Sequence, residues 1–107
     1  MKKRSLSTVG LLAAMAVFTA PLHAEGDPAA GKNKTTMCSG CHGIAGFRSA
    51  YPETYHVPKL GGQNPGYIVA ALKAYKAGER NHPTMKAIAS SLTEQDMADL
   101  AAYYGGK

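Results

Sequence analysis

Large aliphatic side chains are scarce in this 107-residue chain: from residue 25 to residue 107, only ten are Leu, Ile, Val or Phe. That is about 12% of the segment, below the roughly 20% at which a polypeptide begins to look unable to bury a core. Disorder fits poorly, because the net charge is low and the helical periodicity described below is clear. A short chain this poor in aliphatics needs a staple such as disulfides, a metal or a large apolar cofactor. Cysteine is scarce as well. Cys38 and Cys41 are the only two and stand three apart, which excludes a disulfide framework. No segment alternates polar and apolar residues with period two, so the sequence predicts an all-α fold. The length leaves room for one domain and not for an enzyme with separate cofactor and substrate lobes.

An excess of one charge is also missing once the N-terminus is set aside. The full chain carries 12 Lys+Arg against 7 Asp+Glu, but Lys2, Lys3 and Arg4 belong to a segment with the layout of a secretory signal. A charged start is followed by a twelve-residue apolar run over residues 9–20, then Pro21 and the small residue Ala24. A spanning helix needs about 20 apolar residues, so we expect cleavage after Ala24 rather than a permanent anchor. Residues 1–24 would be removed, residues 25–107 would form the mature domain, and the protein would be exported to the periplasm without stable membrane insertion. The mature segment keeps nine basic against seven acidic residues, and a nucleic-acid partner loses most of its support.

Helix signals punctuate the mature chain. Asp27 before Pro28 is an N-cap with a first-turn proline and predicts a helix over 28–37. Residues 43–66 hold Gly43, Gly46, Pro52, Pro58, Gly61, Gly62, Pro65 and Gly66, which predicts a long loop; such loops usually wrap something functional. Residues 67–77 place Ile68, Ala71, Leu72 and Tyr75 on one face, with Lys73 and Lys76 on the solvated side and Gly78 as the stop. Thr93 with Asp96 resembles a capping box. It opens a helix to about Tyr104, striped by Met97, Leu100, Ala101 and Tyr104.

The chemistry concentrates in Cys38-Ser39-Gly40-Cys41-His42, a C-x-x-C-H. Two thiols on one helical turn add to the two vinyl groups of haem, and the adjacent histidine is held under the iron. A thioredoxin-like pair would want a βαβ context, a tetrahedral zinc site more Cys or His ligands, and a plain disulfide leaves the histidine and the missing core unexplained. A covalent haem c accounts for all of them. For the second axial position the candidates are Met37, Met85, Met97, His56 and His82. Met37 adjoins Cys38 on the same helix, and Met97 belongs to a core stripe. Met85 follows Pro83 in the Asn81-His82-Pro83-Thr84 segment, which is read as non-helical and lies far enough along the chain to cross to the opposite face; it is preferred, with His82, His56 or an open site as alternatives.

The C-x-x-C-H, then Pro58-Lys59-Leu60-Gly61-Gly62-Gln63, a tyrosine-bearing helix, Met85, and Asp96-Met97-Ala98-Asp99-Leu100-Ala101-Ala102-Tyr103-Tyr104 together resemble the small bacterial class I cytochromes c. The likeness extends over residues 25–107. It implies that fold, three to four short helices with long loops around one haem. It implies Cys38 and Cys41 as thioether positions, His42 as proximal and Met85 as distal ligand, and Pro58 as the residue whose carbonyl receives the proximal imidazole N–H. Gly31 matches the glycine that lets the first and last helices cross, against Leu100 and Tyr103. Residues 50–57 depart from the common pattern as an enlarged, aromatic stretch.

A haem closed by His and Met has no substrate site, so the expected activity is one-electron transfer between redox proteins and not enzymatic turnover. Two alternatives are a haem subunit of a dehydrogenase complex and a haem enzyme or sensor with an open sixth position. Within residues 32–86 eight basic residues face two acids; this would suit partners with acidic docking faces.

Overall fold

A computed structural model describes residues 25–50 and 53–107; the signal expected over 1–24 lies outside the described residues. Five helices and one two-stranded ladder make up the described fold. They are α1 (Pro28–Asn33), α2 (Thr36–His42), β1 (Arg48–Ser49), β2 (Tyr55–His56), α3 (Pro65–Ala77), α4 (Pro83–Ser90) and α5 (Glu94–Gly105). The expectation of a helical fold holds, with two additions and one division.

The division falls in the first helix, expected over 28–37. Asp27 caps α1 as foreseen, its carboxylate accepting from the Ala29 N–H at 2.8 Å. The helix then stops at Asn33 because the Thr35 hydroxyl takes the Lys32 carbonyl at 2.9 Å, a side-chain bond that competes with the helical ladder. A new helix, α2, starts at Thr36 and carries the whole C-x-x-C-H.

The first addition is α4. Pro83 occupies its first turn, and the cap is His82, a residue outside the usual Ser, Thr, Asp and Asn set. The segment read as non-helical thus contains the opening of a helix. The second addition is the antiparallel pairing of Arg48 with His56 and Ser49 with Tyr55, extended by Val57 N–H donating to the Phe47 carbonyl at 3.0 Å. Strands of two residues are too short for alternation to register.

α3 begins two residues before the expected start, since Asn64 accepts from the Tyr67 N–H at 3.0 Å and Pro65 occupies the first turn. It ends at Gly78, whose φ of 81° is the left-handed conformation suited to glycine. The capping box of α5 is complete: Asp96 N–H donates to the Thr93 hydroxyl at 3.0 Å, and Thr93 N–H to the Asp96 carboxylate at 2.9 Å. Lys73 and Lys76, expected to be solvated, reach the start of α5. Lys73 pairs with Glu94 at 3.2 Å and Lys76 donates to the Leu92 carbonyl.

α1 packs chiefly on α5, and α3 packs on both α4 and α5. At the α1–α5 crossing a Cβ on Gly31 would stand 2.0 Å from the Asp99 carbonyl oxygen and 2.9 Å from Tyr103 Cβ. The close approach expected there is present, but its floor is the Asp99 backbone rather than Leu100. Asp99 locks the same crossing. Its carboxylate, 3% exposed as a residue, accepts from the Asp27 N–H at 2.8 Å, the Gln95 amide at 2.9 Å and the Lys34 ammonium at 2.6 Å. Lys34 also pairs with Asp96 at 2.7 Å, so it is committed to the fold.

The buried apolar core among the described residues is small: Ile68, Ala89, Met97, Leu100 and Ala101. Leu60, Leu72, Ile88 and Leu92 are only half-buried, and all four turn toward one cavity. The aliphatic deficit of the sequence therefore appears as a small core beside a central cavity.

Candidate functional site

That cavity measures about 600 Å³. One helical turn of α2 delivers Cys38, Cys41 and His42 to its lining. Both cysteines are unpaired and half-buried. Burial pushes the Cys38 thiol up from its ordinary range, against a smaller opposing effect from its hydrogen bond with Tyr104. Redox-active C-x-x-C pairs need the opposite, a depressed thiolate-forming pKa. Tyr104, from α5, is itself pushed up to about 12, first by burial and then by the neighbouring Cys38.

His42 is oriented by the Pro58 carbonyl. Its Nδ1 lies 2.7 Å from the Pro58 carbonyl oxygen; a carbonyl only accepts, so Nδ1 carries the hydrogen and Nε2 keeps its lone pair. A ring fixed in this tautomer and orientation is what a metal-ligating histidine requires. Pro58 is held in turn by the loop over 58–64. Gly62 N–H donates to the Tyr104 carbonyl at 2.9 Å, pinning the loop to the end of α5.

Of the candidates for a second ligand, Met85, His82, His56 and Met37 reach the cavity. Met97 does not; at 1% exposure it belongs to the core, as its place in the α5 stripe suggested. Met37 is 53% exposed and shares α2 with His42. His56 is exposed. His82, the cap of α4, and Met85, in its first turn, are half-buried, and His82 Nδ1 accepts from the Met85 N–H at 3.3 Å. The cavity thus gathers Cys38, Cys41, His42, Pro58 and Met85 from three separated stretches of sequence.

The lining also includes Tyr55, Tyr75 and Arg80, which sequence reasoning had not assigned to the site. Arg80 lies over the Tyr75 ring at 4.5 Å and reaches the Tyr67 hydroxyl at 3.5 Å. The signal for Tyr55 was the aromatic departure over 50–57; for Arg80 no sequence signal distinguished it from the other basic residues.

A flat, mostly apolar group fits this arrangement. The cavity has the volume for it, half-buried aliphatic side chains supply apolar walls, two thiols one turn apart offer attachment points, and an oriented imidazole offers a lone pair. The chemistry of the donors suits a haem. They do not suit a closed metal centre, since no group of three or more His, Cys, Asp or Glu is placed to hold a metal among the described residues.

Comparison with known proteins agrees with this geometry. The sequence model of the cytochrome c family matches residues 28–104. Cytochrome c4 of Pseudomonas aeruginosa is 38% identical over 90 residues, covering 84% of this chain and 43% of that protein. Cytochrome c-554(548) of Halomonas halodenitrificans is 40% identical over 85 residues, covering 77% of this chain and 98% of that one. The crystal structure of reduced recombinant cytochrome c4 from Pseudomonas stutzeri superimposes with a TM-score of 0.56 at 26% identity, over 77% of this chain and 50% of that one. The chain therefore spans about half the length of the cytochrome c4 relatives and nearly all of cytochrome c-554(548).

Proposed function

The chain belongs to the cytochrome c family, and from that premise we propose that it is a periplasmic electron carrier, exported by the signal over residues 1–24, with one haem c bound through Cys38 and Cys41 and ligated by His42 and Met85. The observation that carries this reading is the convergence of the two thiols, the oriented His42 and Met85 on one cavity of about 600 Å³. Bound there, haem supplies a one-electron ferric/ferrous couple.

The protein's own residues set the conditions for that couple. Pro58 fixes the tautomer and orientation of the His42 ring. Met85 offers a soft thioether, which favours the reduced state and raises the potential. Leu60, Leu72, Ile88 and Leu92 exclude water from the cavity, so little solvent has to reorganise when the charge changes. As an electron carrier the protein performs no net conversion of a substrate. Exchange of electrons with partners then depends on docking at the cavity rim. Lys59 and Arg80 belong to that rim, and their charge suits partners with acidic docking faces. Such docking slows as salt screens it, falling off over a Debye length of about 8 Å at physiological ionic strength.

The test is optical. A ferric haem with a methionine ligand has a weak sulfur-to-iron charge-transfer band at the red end of the spectrum. The wild-type protein should show it, and Met85→Ala should lose it, bind cyanide readily and have a lower potential. A band that survives in Met85→Ala would overturn the ligand assignment.

A further inference from the structure

We propose that His82 is a positioning residue for Met85, a tyrosine-bracketed helix cap that fixes the direction from which the thioether enters the cavity. The proposal rests on the assignment of Met85 as the distal ligand.

His82 stands at a point where backbone geometry, a hydrogen bond and two ring contacts meet. Pro83 forces the preceding residue into extended conformation, and His82 has φ −157° and ψ 100°. The imidazole thereby folds over the first turn of α4, where Nδ1 accepts the backbone N–H of Met85 itself. The accepting nitrogen carries no hydrogen, so the ring has its proton on Nε2. An Asp or Asn at this position would supply the cap with a short, mobile side chain. A histidine supplies it with a flat ring that other elements can grip.

Two tyrosines grip it. Tyr55, from β2, tilts against the ring with centroids 4.3 Å apart, and Tyr75, from α3, meets it edge-on at 6.1 Å. Each tyrosine is secured in turn. The Tyr55 hydroxyl donates to Glu53 at 3.0 Å, and Tyr75 lies beneath the Arg80 guanidinium. The ladder of β1 and β2 therefore has a purpose in the site: it delivers Tyr55 to the cap. Because the capped N–H belongs to Met85, a ring held in place biases the Met85 backbone and with it the direction of the thioether. His82 lines the cavity too, but its Nδ1 lone pair accepts the Met85 N–H and its Nε2 carries the hydrogen, the reverse of His42, which favours a positioning role over a ligating one.

Imidazole titration of the ferric holoprotein, read by loss of the red-end band, measures how firmly Met85 holds its place. His82→Ala removes the cap and the ring contacts and should tighten apparent imidazole binding on the order of tenfold. His82→Asn restores a capping oxygen without the ring contacts and should recover part of the change, to about threefold. Tyr55→Leu keeps the cap, loosens the grip, and should fall near the same threefold. Should His82→Ala fold poorly, the Asn and Leu variants carry the test alone. Wild-type imidazole affinity in these variants, even with a lowered melting temperature, would overturn the proposal by reducing His82 to a stability role. Met85→Ala separates the two levels: if it loses the band while the His82 variants bind imidazole normally, only this proposal fails. If the wild-type protein lacks the band and His82→Ala, not Met85→Ala, opens the iron to cyanide, His82 is the ligand and both readings fail.

Discussion

Gly31→Ala sets two physical effects against each other at one position. Helix propensity alone favours alanine over glycine inside a helix by about 1 kcal/mol, so a solvent-facing Gly31 would be improved by the change. The crossing with α5 predicts the reverse. The new Cβ would lie 2.0 Å from the Asp99 carbonyl oxygen and 2.6 Å from its carbonyl carbon, both backbone atoms that cannot rotate away. Relief requires the helices to part by more than 1 Å, given that ordinary contact begins near 3.4 Å. Overpacking of this kind costs about 1–3 kcal/mol and sometimes more, and parting the helices also stretches the bonds from Asp27 N–H and Lys34 to Asp99. The expected net loss for Gly31→Ala is about 2 kcal/mol, with Gly31→Val losing more. For a domain of this size, 2 kcal/mol corresponds to roughly 8–16 °C in melting temperature. Thermal and urea unfolding of the holoprotein, followed by far-UV circular dichroism, measures both variants. An unchanged or raised midpoint in Gly31→Ala would refute the claim that this crossing requires glycine.

Further expectations concern the core, the attachment site and acid. Met97→Leu conserves volume in a buried stripe, so it should cost under about 1.5 kcal/mol and leave the red-end band intact; its loss there would mean the wrong methionine had been assigned. Cys41→Ala should retain at most one thioether and accumulate poorly in cells, which a haem stain on a denaturing gel would show. The Lys34 ammonium, followed by the Asp27 N–H and the Gln95 amide, lowers the Asp99 carboxyl to about 2, and Asp96 is held well below the carboxylate range chiefly by Lys34 as well. Carboxyls depressed by folding stabilise the protein above their unfolded pKa, so this contribution, about 2 kcal/mol from Asp99, is complete above about pH 4 and drains away toward pH 2. Subtracting the stability–pH curve of Asp99→Asn from that of the wild type should isolate the slope, and a flat difference between pH 4 and 2 would count against the cluster.

The parts of the molecule legible in the sequence were those with local, directional signals. Asp27-Pro28 and Thr93 with Asp96 announce helix starts because each cap is complete within three residues. The C-x-x-C-H names its chemistry because one helical turn fixes its spacing. Less was visible where a tertiary contact overrides a local pattern. The break after Asn33 depends on Thr35 capturing the Lys32 carbonyl and on Lys34 reaching Asp96 and Asp99 on α5, 62 and 65 residues away. α4 was hidden by a cap of unusual residue type whose ring is steadied by tyrosines from two other elements. The ladder carrying Tyr55 was too short to leave a periodic trace, although its aromatic composition marked the segment as unusual. What remained invisible was therefore the support around Met85, not the chemistry of the thiols and His42.

The account stands on the claim that Cys38 and Cys41 bind one haem covalently. Intact mass spectrometry of the exported protein, followed by peptide mapping, tests this directly. The predicted result is a chain beginning at Glu25 that carries the added mass of a single haem, located on the peptide containing Cys38 and Cys41. A mass equal to the bare polypeptide, or lower by two hydrogens for a Cys38–Cys41 disulfide, would contradict it.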